Sequence, residues 1–188
     1  VGLGGDDTYF VDGAGDAITE DSIAGSGSDR RNVVFTARGT YTLAANVENA
    51  TIANATAGVN VTGNELNNFL TGNATANLLT GLGGNDTLDG GLGNDILYGH
   101  TLAAVGDDHA VDYLYGDLGT NGFEAGSGGD QLYGNGGNDL LYGEGGDDKI
   151  EGTAGFKQTE TSGGVGNLID FGDALRQFYG SLFKWGFT

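Results

Sequence analysis

The chain has no cysteine, no proline and no methionine, and only 7 lysines and arginines among its 188 residues. Without cysteine no disulfide can hold the fold, so a small core needs another staple, and metal is the obvious one. The lack of proline, with no strict G-X-Y period, excludes a collagen-like helix. The shortage of basic residues argues against nucleic acid and anionic membrane as partners. No apolar run approaches the ~18 residues of a membrane-spanning helix, so no transmembrane segment is expected. The zinc motif H-E-x-x-H, the G-x-S-x-G elbow and any cysteine nucleophile are also missing. No acid–base pair stands apart from the turns, so the chain is not expected to be an enzyme and no catalytic residue is assigned. Its opening, "VGLGGDDTYF", has no initiating Met and no basic, apolar leader. It reads as mid-repeat, a piece cut from a longer protein.

What is present is glycine and acid. Glycine supplies 39 residues, about three times the usual share of ~7%. The 26 acidic residues leave a formal charge of −19, which opposes compaction unless cations are bound. A flexible Gly-rich linker has no need of ordered apolar residues, yet here they recur at a fixed interval. Leu43, Ile52, Val61, Leu70, Leu79, Leu88 and Leu97 are each nine residues apart, and the column resumes at Leu114, Leu132, Leu141, Ile150 and Ile169. A glycine stands two residues beyond most of them, as at Gly63, Gly72, Gly99 and Gly116. A short fixed period is the mark of a solenoid. Nine residues fit a strand of about three plus a turn of about six, two units making one coil.

The chemistry follows from one unit, "LDGGLGNDI". Leu88 points inward while Thr87 and Asp89 alternate outward. Gly90, Gly91 and Gly93 let the backbone turn through conformations closed to other side chains. Asn94 and Asp95 close the turn and bring a carboxylate beside exposed carbonyls. Carbonyls and carboxylates with no imidazole or thiolate form a hard oxygen site suited to Ca²⁺.

These units resemble the RTX, or haemolysin-type, calcium-binding nonapeptide G-G-x-G-x-D-x-U-x, where U is large and apolar. "GGLGNDILY" from 90 matches every fixed position, while "GLGGNDTLD" from 81, "GNGGNDLLY" from 134 and "GEGGDDKIE" from 143 each lack one glycine. The resemblance implies a right-handed parallel β-roll or β-solenoid, all-β, with several Ca²⁺ ions between successive turns on each edge. Carried over residue by residue, it stacks Asn68, Asp86, Asp112, Asp139 and Asn167 on one edge. The other edge stacks Asn77, Asp95, Asp130 and Asp148. The implied ligands are the carboxylates of Asp86, Asp95, Asp112, Asp130, Asp139 and Asp148. Implied carbonyl donors are Gly81, Gly83, Gly90, Leu92, Gly126, Gly128, Gly134, Gly136, Gly143 and Gly145. Asn68 and Asn77 stand where Asp is usual, and their rungs are expected to be held by amide hydrogen bonds instead.

Further implied are a bacterial source, type I secretion and an extracellular or cell-surface location, with the chain largely unfolded until it meets Ca²⁺ outside. Residues 1–42 read as lead-in strands and 43–172 as the roll. Three swollen units, near 100–112, 117–130 and 153–167, are expected as edge loops. His100 and His109 fall in the first and are expected to be solvated. The outward Tyr113, Tyr115, Leu140 and Tyr142 are expected to stack across neighbouring strands and stabilise the sheet modestly. As a set they are apolar enough to offer a surface for self-association or a cell-surface partner. "DALRQFYGSLFKW" from 173 has helical spacing and Asp173 as N-cap. Residues 173–188 are therefore expected to form a short capping helix.

Overall fold

In a computed structural model, the described residues are 8–11, 30–33, 39–53, 58–101, 110–117, 128–152, 157–158 and 168–170. Their regular elements are strands, joined by turns: β1 Thr8–Val11, β2 Arg30–Val33, β3 Gly39–Thr42, β4 Asn49–Ile52, β5 Val59–Thr62, β6 Phe69–Asn73, β7 Leu78–Thr80 and β8 Thr87–Gly91. The series continues with β9 Ile96–Tyr98, β10 Tyr113–Tyr115, β11 Gln131–Asn135, β12 Leu140–Tyr142, β13 Lys149–Gly152, β14 Lys157–Gln158 and β15 Leu168–Asp170. The C-terminal segment 173–188 lies outside the described residues.

Two parallel sheets result. One runs β1-β2-β4-β6-β8-β10-β12-β14 and the other β15-β13-β11-β9-β7-β5-β3. From β3 onward, consecutive strands fall in alternate sheets, so the chain winds as a coil with two strands per turn. Such strands are short because the nine-residue unit gives the rest to turns. A three-residue strand offers one inward side chain, and in β6 to β13 that residue is Leu70, Leu79, Leu88, Leu97, Leu114, Leu132, Leu141 or Ile150. Each is fully buried. Leu70 stands opposite Leu88, Leu88 opposite Leu114 and Leu114 opposite Leu141, while Leu79, Leu97, Leu132 and Ile150 line the other sheet.

Register departs from nine-residue counting at the start. Val61 stands opposite Leu79, 18 residues on, but Tyr41 stands opposite Val61, 20 residues back. Ala50, not Ile52, stands opposite Leu70. The coils from β3 to β5 and from β4 to β6 are two residues longer, so Leu43 and Ile52 line up with Gly63 and Gly72 rather than with the leucines. The amide bonds agree: Leu43 N–H donates to Thr62 O as Gly63 N–H donates to Thr80 O.

The third swollen unit is also not a simple loop. Lys157 and Gln158 form β14 beside Leu140 and Leu141, and Ile150 stands opposite Ile169. The 19 residues from 150 to 169 thus make a whole coil. Its second strand lacked the apolar marker that would have announced it. The first two units do lengthen the connections β9–β10 and β10–β11, on opposite edges. Residues 102–109, including His109, and 118–127 lie outside the described residues.

Candidate metal centre

Both edges of the coil are built from the six-residue turns. In the turns opening at Gly81, Gly90, Gly134 and Gly143 the backbone enters the left-handed region at the second and fourth positions, as at Gly91 (φ 93°) and Gly93 (φ 118°). Where the second glycine is missing the backbone still goes there: Leu82 has φ 83°, and Asn135 and Glu144 have φ 65°. The three departures from the repeat are therefore three strained positions. Leu82 is the costliest, since Asn tolerates this region far better than a bulky side chain does.

The sixth position carries the carboxylates. On one edge Asn68 N–H donates to Asp86 Oδ1 at 2.8 Å, Asp86 N–H to Asp112 Oδ1 at 2.8 Å, and Asp112 N–H to Asp139 Oδ1 at 3.0 Å. On the other, Asn77 N–H donates to Asp95 Oδ1 at 2.7 Å, Asp95 N–H to Asp130 Oδ1 at 2.7 Å, and Asp130 N–H to Asp148 Oδ1 at 3.0 Å. Each Asp thus reaches back to the preceding coil with one oxygen. All six are at most 2% exposed.

The second oxygen faces a different place. A methyl group on Gly90 would come 2.6 Å from Asp95 Oδ2 and also strike the carbonyl of Gly116 in the next coil. Around Gly116 the same convergence brings Asp130 Oδ2 and Gly143 O, the latter at 2.6 Å. Gly81 gathers Asp86 Oδ2 and Gly99 O, and Gly99 gathers Asp112 Oδ2 and Gly134 O, the latter at 2.8 Å. A methyl group on Gly134 would come 2.6 Å from Asp139 Oδ2, and one on Gly143 2.5 Å from Asp148 Oδ2. At Gly81, Gly90, Gly99 and Gly116 oxygens from two coils crowd the space a Cβ would fill, and at Gly134 and Gly143 the turn's own Asp does so.

Of the expected donors, Gly81, Gly90, Gly134 and Gly143 hold this first position. Gly83, Leu92, Gly136 and Gly145 hold the third. Gly128 instead holds the fourth, against Gly93 O and Asn94 Oδ1, and Gly126 and Asn167 lie outside the described residues. Gly99 and Gly116 belong to the set, marked by their place two residues after Leu97 and Leu114. Four of the six Asp carbonyls are poorer donors: those of Asp86, Asp95, Asp112 and Asp130 already accept from Tyr113, Gln131, Leu140 and Lys149.

The Asn rungs are built otherwise. Asn68 Nδ2 donates to Glu48 O at 3.1 Å, and Asn77 Nδ2 to Val59 O at 2.8 Å, both in the preceding coil. Their Oδ1 atoms accept the N–H groups of Asn64 and Asn73 at 2.8 and 2.9 Å. An amide closes here, with donor and acceptor, what a carboxylate leaves charged.

Electrostatics single out Asp95 and Asp130. Neither Oδ2 has a hydrogen-bond partner. Burial pushes the Asp95 carboxyl up to about 8, against the Asn77 N–H that lowers it, and Asp130, Asp117 and Asp89 add to the rise. Burial likewise raises Asp130 to about 7, with Asp117 and Asp148 adding and the Asp95 N–H opposing. Asp89 rises to about 6, first through burial, with Asp117 and Glu144 contributing. Asp117 and Glu144 are buried acids that the reading of the sixth position missed. Their signal was an acid at the second position, where the repeat has glycine. Asp117 Oδ2 accepts Gly145 N–H at 3.1 Å.

His100 is not solvated. It is 9% exposed, its Nδ1 bonds the carbonyl of Leu82, and its N–H donates to Asn135 Oδ1 at 3.3 Å. It clamps neighbouring coils.

Among the described residues no three His, Cys, Asp or Glu side chains cluster closely enough to hold a metal alone. Any ion at these turns must draw on backbone carbonyls as well, which is the mixed donor set that suits Ca²⁺. Two parallel sheets wound as a coil, with carboxylates and carbonyls converging along both edges, define a solenoid with hard-cation turns. The model of the RTX calcium-binding nonapeptide repeat matches residues 62–97 and 124–156. The chain carries RTX calcium-binding nonapeptide repeats, which bind Ca²⁺ and are typical of secreted bacterial proteins. No curated protein and no solved structure matches it. No helix among the described residues is long and apolar enough to cross a membrane.

The residues present fit the ion. Asp95 and Asp130 keep buried carboxylate oxygens without a partner, beside carbonyls aimed at the same space. Isolated buried carboxylates are costly, and pairing with a cation removes that cost.

Proposed function

We propose that the chain is a non-catalytic, calcium-binding structural module of a larger secreted bacterial protein, a right-handed β-roll that completes its fold after export. The single observation behind this reading is the pair of partnerless carboxylate oxygens at Asp95 and Asp130. Asp86, Asp95, Asp112, Asp130, Asp139 and Asp148 are the carboxylate ligands, with first- and third-position carbonyls completing each shell. Ca²⁺ supplies positive charge that ties two stacked turns. In the cytosol, where Ca²⁺ is scarce, the acidic turns repel one another and the chain stays export-competent. Extracellular modules bind Ca²⁺ with dissociation constants of about 10⁻⁴ to 10⁻³ M, and at such sites binding free energy becomes folding free energy.

Circular dichroism and hydrodynamic size across a Ca²⁺ titration, reversed with EDTA, test this reading. Sheet signal and compaction should rise together with calcium and reverse on chelation. Full sheet signal and unchanged size in EDTA would refute it.

A second reading, as a segment of a surface layer, adhesin or filament, draws on the outer face of the eight-stranded sheet. Phe69 is 47% and Tyr113 38% exposed there, in one register row. Calcium-dependent growth of sheets or fibres from purified protein would favour it. As the tail of an exoenzyme, the module would instead stay monomeric.

A further inference from the structure

We propose that the coils from Gly39 to Thr80 fold without calcium and form the platform on which the carboxylate-bearing turns assemble. This inference rests on the calcium-dependent folding proposed above and restricts it to the coils beyond Thr80.

Three independent features separate the two parts. The first is what fills the glycine column. In the later coils Gly81, Gly90, Gly99 and Gly116 leave room for carboxylate and carbonyl oxygens. In the coil of β3 and β4 that register place is taken by Leu43 and Ile52, 4% and 3% exposed. Hydrocarbon occupies the position that later turns keep for a cation.

The second is the width of the core. β4 buries Ala50 and Ile52, β5 buries Val59 and Val61, and Tyr41 and Leu43 enter together at the end of β3. Val47, fully buried, plugs the turn between β3 and β4. From β6 to β13 each strand buries one large apolar residue. The apolar core is thickest where buried acid is absent: every buried Asp or Glu among the described residues lies at Asp86 or beyond.

The third is the seam between coils. Asn64 Nδ2 donates to Ala44 O and Val47 O, each at 2.8 Å, and clasps the plugged turn. Asn68 and Asn77 tie their coils to the preceding ones with neutral amides. All these bonds form without a cation and without burying charge.

The junction is built for docking. The N–H groups of Asn68 and Asn77 are presented at the end of the neutral seam, and they receive Oδ1 of Asp86 and Asp95, the first carboxylates on their edges. A preformed platform therefore orients the first two acidic turns before any ion arrives. Each later turn then meets a coil already in register.

Hydrogen–deuterium exchange read by mass spectrometry on the full chain, in EDTA and then in calcium, tests this. Peptides from 39–53 and 58–80 should be protected at least about tenfold in EDTA relative to those from 86–152. Calcium should then protect the latter. Val47→Asp should abolish the EDTA-resistant protection, whereas Asp130→Asn should leave it intact and weaken only the calcium-dependent part. Rapid exchange throughout in EDTA, with calcium restoring every coil, would overturn the platform and leave calcium-dependent folding standing. Protection confined to 39–80 that calcium fails to extend would keep the platform and remove calcium-dependent folding. Uniform protection in EDTA would overturn both.

Discussion

Asp130 acts at two coil junctions. Its Oδ1 accepts the N–H of Asp95 at 2.7 Å, its own N–H donates to Asp148 Oδ1 at 3.0 Å, and its Oδ2 lies beside Gly116. Asn77 occupies the same turn position with a neutral amide. A hydrogen bond to a charged group contributes about 1.5–3 kcal/mol, against about 1 kcal/mol for a neutral one. Asp130→Ala should therefore raise the calcium midpoint about tenfold or more. Asn77→Ala should move it little while lowering calcium-free stability by about 1 kcal/mol. Calcium titration by calorimetry and urea melts in EDTA read the two separately, and equal calcium shifts would count against the assignment of Asp130. The same carboxyls set a pH dependence. With Asp95 at about 8 and Asp130 at about 7 in the fold, against an ordinary value of 3.8, the calcium-free folded state holds protons that the unfolded chain releases. These groups therefore cost stability progressively as the pH rises from about 4 through 8. The calcium-free coils beyond Thr80 are unfolded at neutral pH with these carboxyls already ionised, so acid should substitute in part for calcium: in EDTA, sheet signal should rise as the pH falls from about 8 to about 5. Dichroism in EDTA that is flat across that range would contradict this.

At the scale of the strand, a single inward residue carries the contact between sheets. Leu97 is fully buried, with Leu79 and Leu132 as its register neighbours. Removing it leaves a gap that a three-residue strand between two turns has little freedom to close. Leu97→Ala should cost about 2–5 kcal/mol, measured by thermal melting in saturating calcium. A loss below about 1 kcal/mol would mean that the turns rather than the leucine column hold the coil. The strands of this region were legible because residues 61–150 keep one apolar residue per unit. β14 was not, since Gln158 stands where the column would have had Leu, opposite Leu141. Leu43 and Ile52 misled for the opposite reason: they keep the nine-residue count while the coils there span 20, so register was set by pairing and not by spacing. At the turns, the sixth-position acids announced themselves through the repeat. Asp117 and Glu144 replaced a glycine and so looked like ordinary variation, although each is buried.

Over the whole molecule, 26 acidic and 7 basic residues leave a net charge of −19, and the most confined acids stand in two columns. Adjacent strands lie about 4.8 Å apart, so Asp95, Asp130 and Asp148 repeat as like charges along one edge and Asp86, Asp112 and Asp139 along the other. Two unit charges ~5 Å apart repel by about 3 kcal/mol at an effective dielectric of ~20. Monovalent salt acts over a Debye length of ~10 Å at 0.1 M and scarcely screens buried pairs. Sodium chloride should therefore relax the exposed acids without restoring the coils beyond Thr80. Magnesium should also do poorly, since it demands a near-ideal octahedron at about 2.0–2.1 Å and gives up its waters reluctantly. A two-sheet edge offering carboxylate and carbonyl oxygens from separate coils suits a larger, less exacting ion. In EDTA, raising sodium chloride to about 0.5 M should shrink the radius of gyration only slightly, with far-UV dichroism nearly unchanged. Calcium at about 1–10 mM should complete both changes, and magnesium at the same concentration should not. Small-angle scattering and dichroism on the same samples read the difference. Recovery of the full sheet signal in sodium chloride alone would show that diffuse repulsion, not the stacked carboxylates, is what calcium relieves.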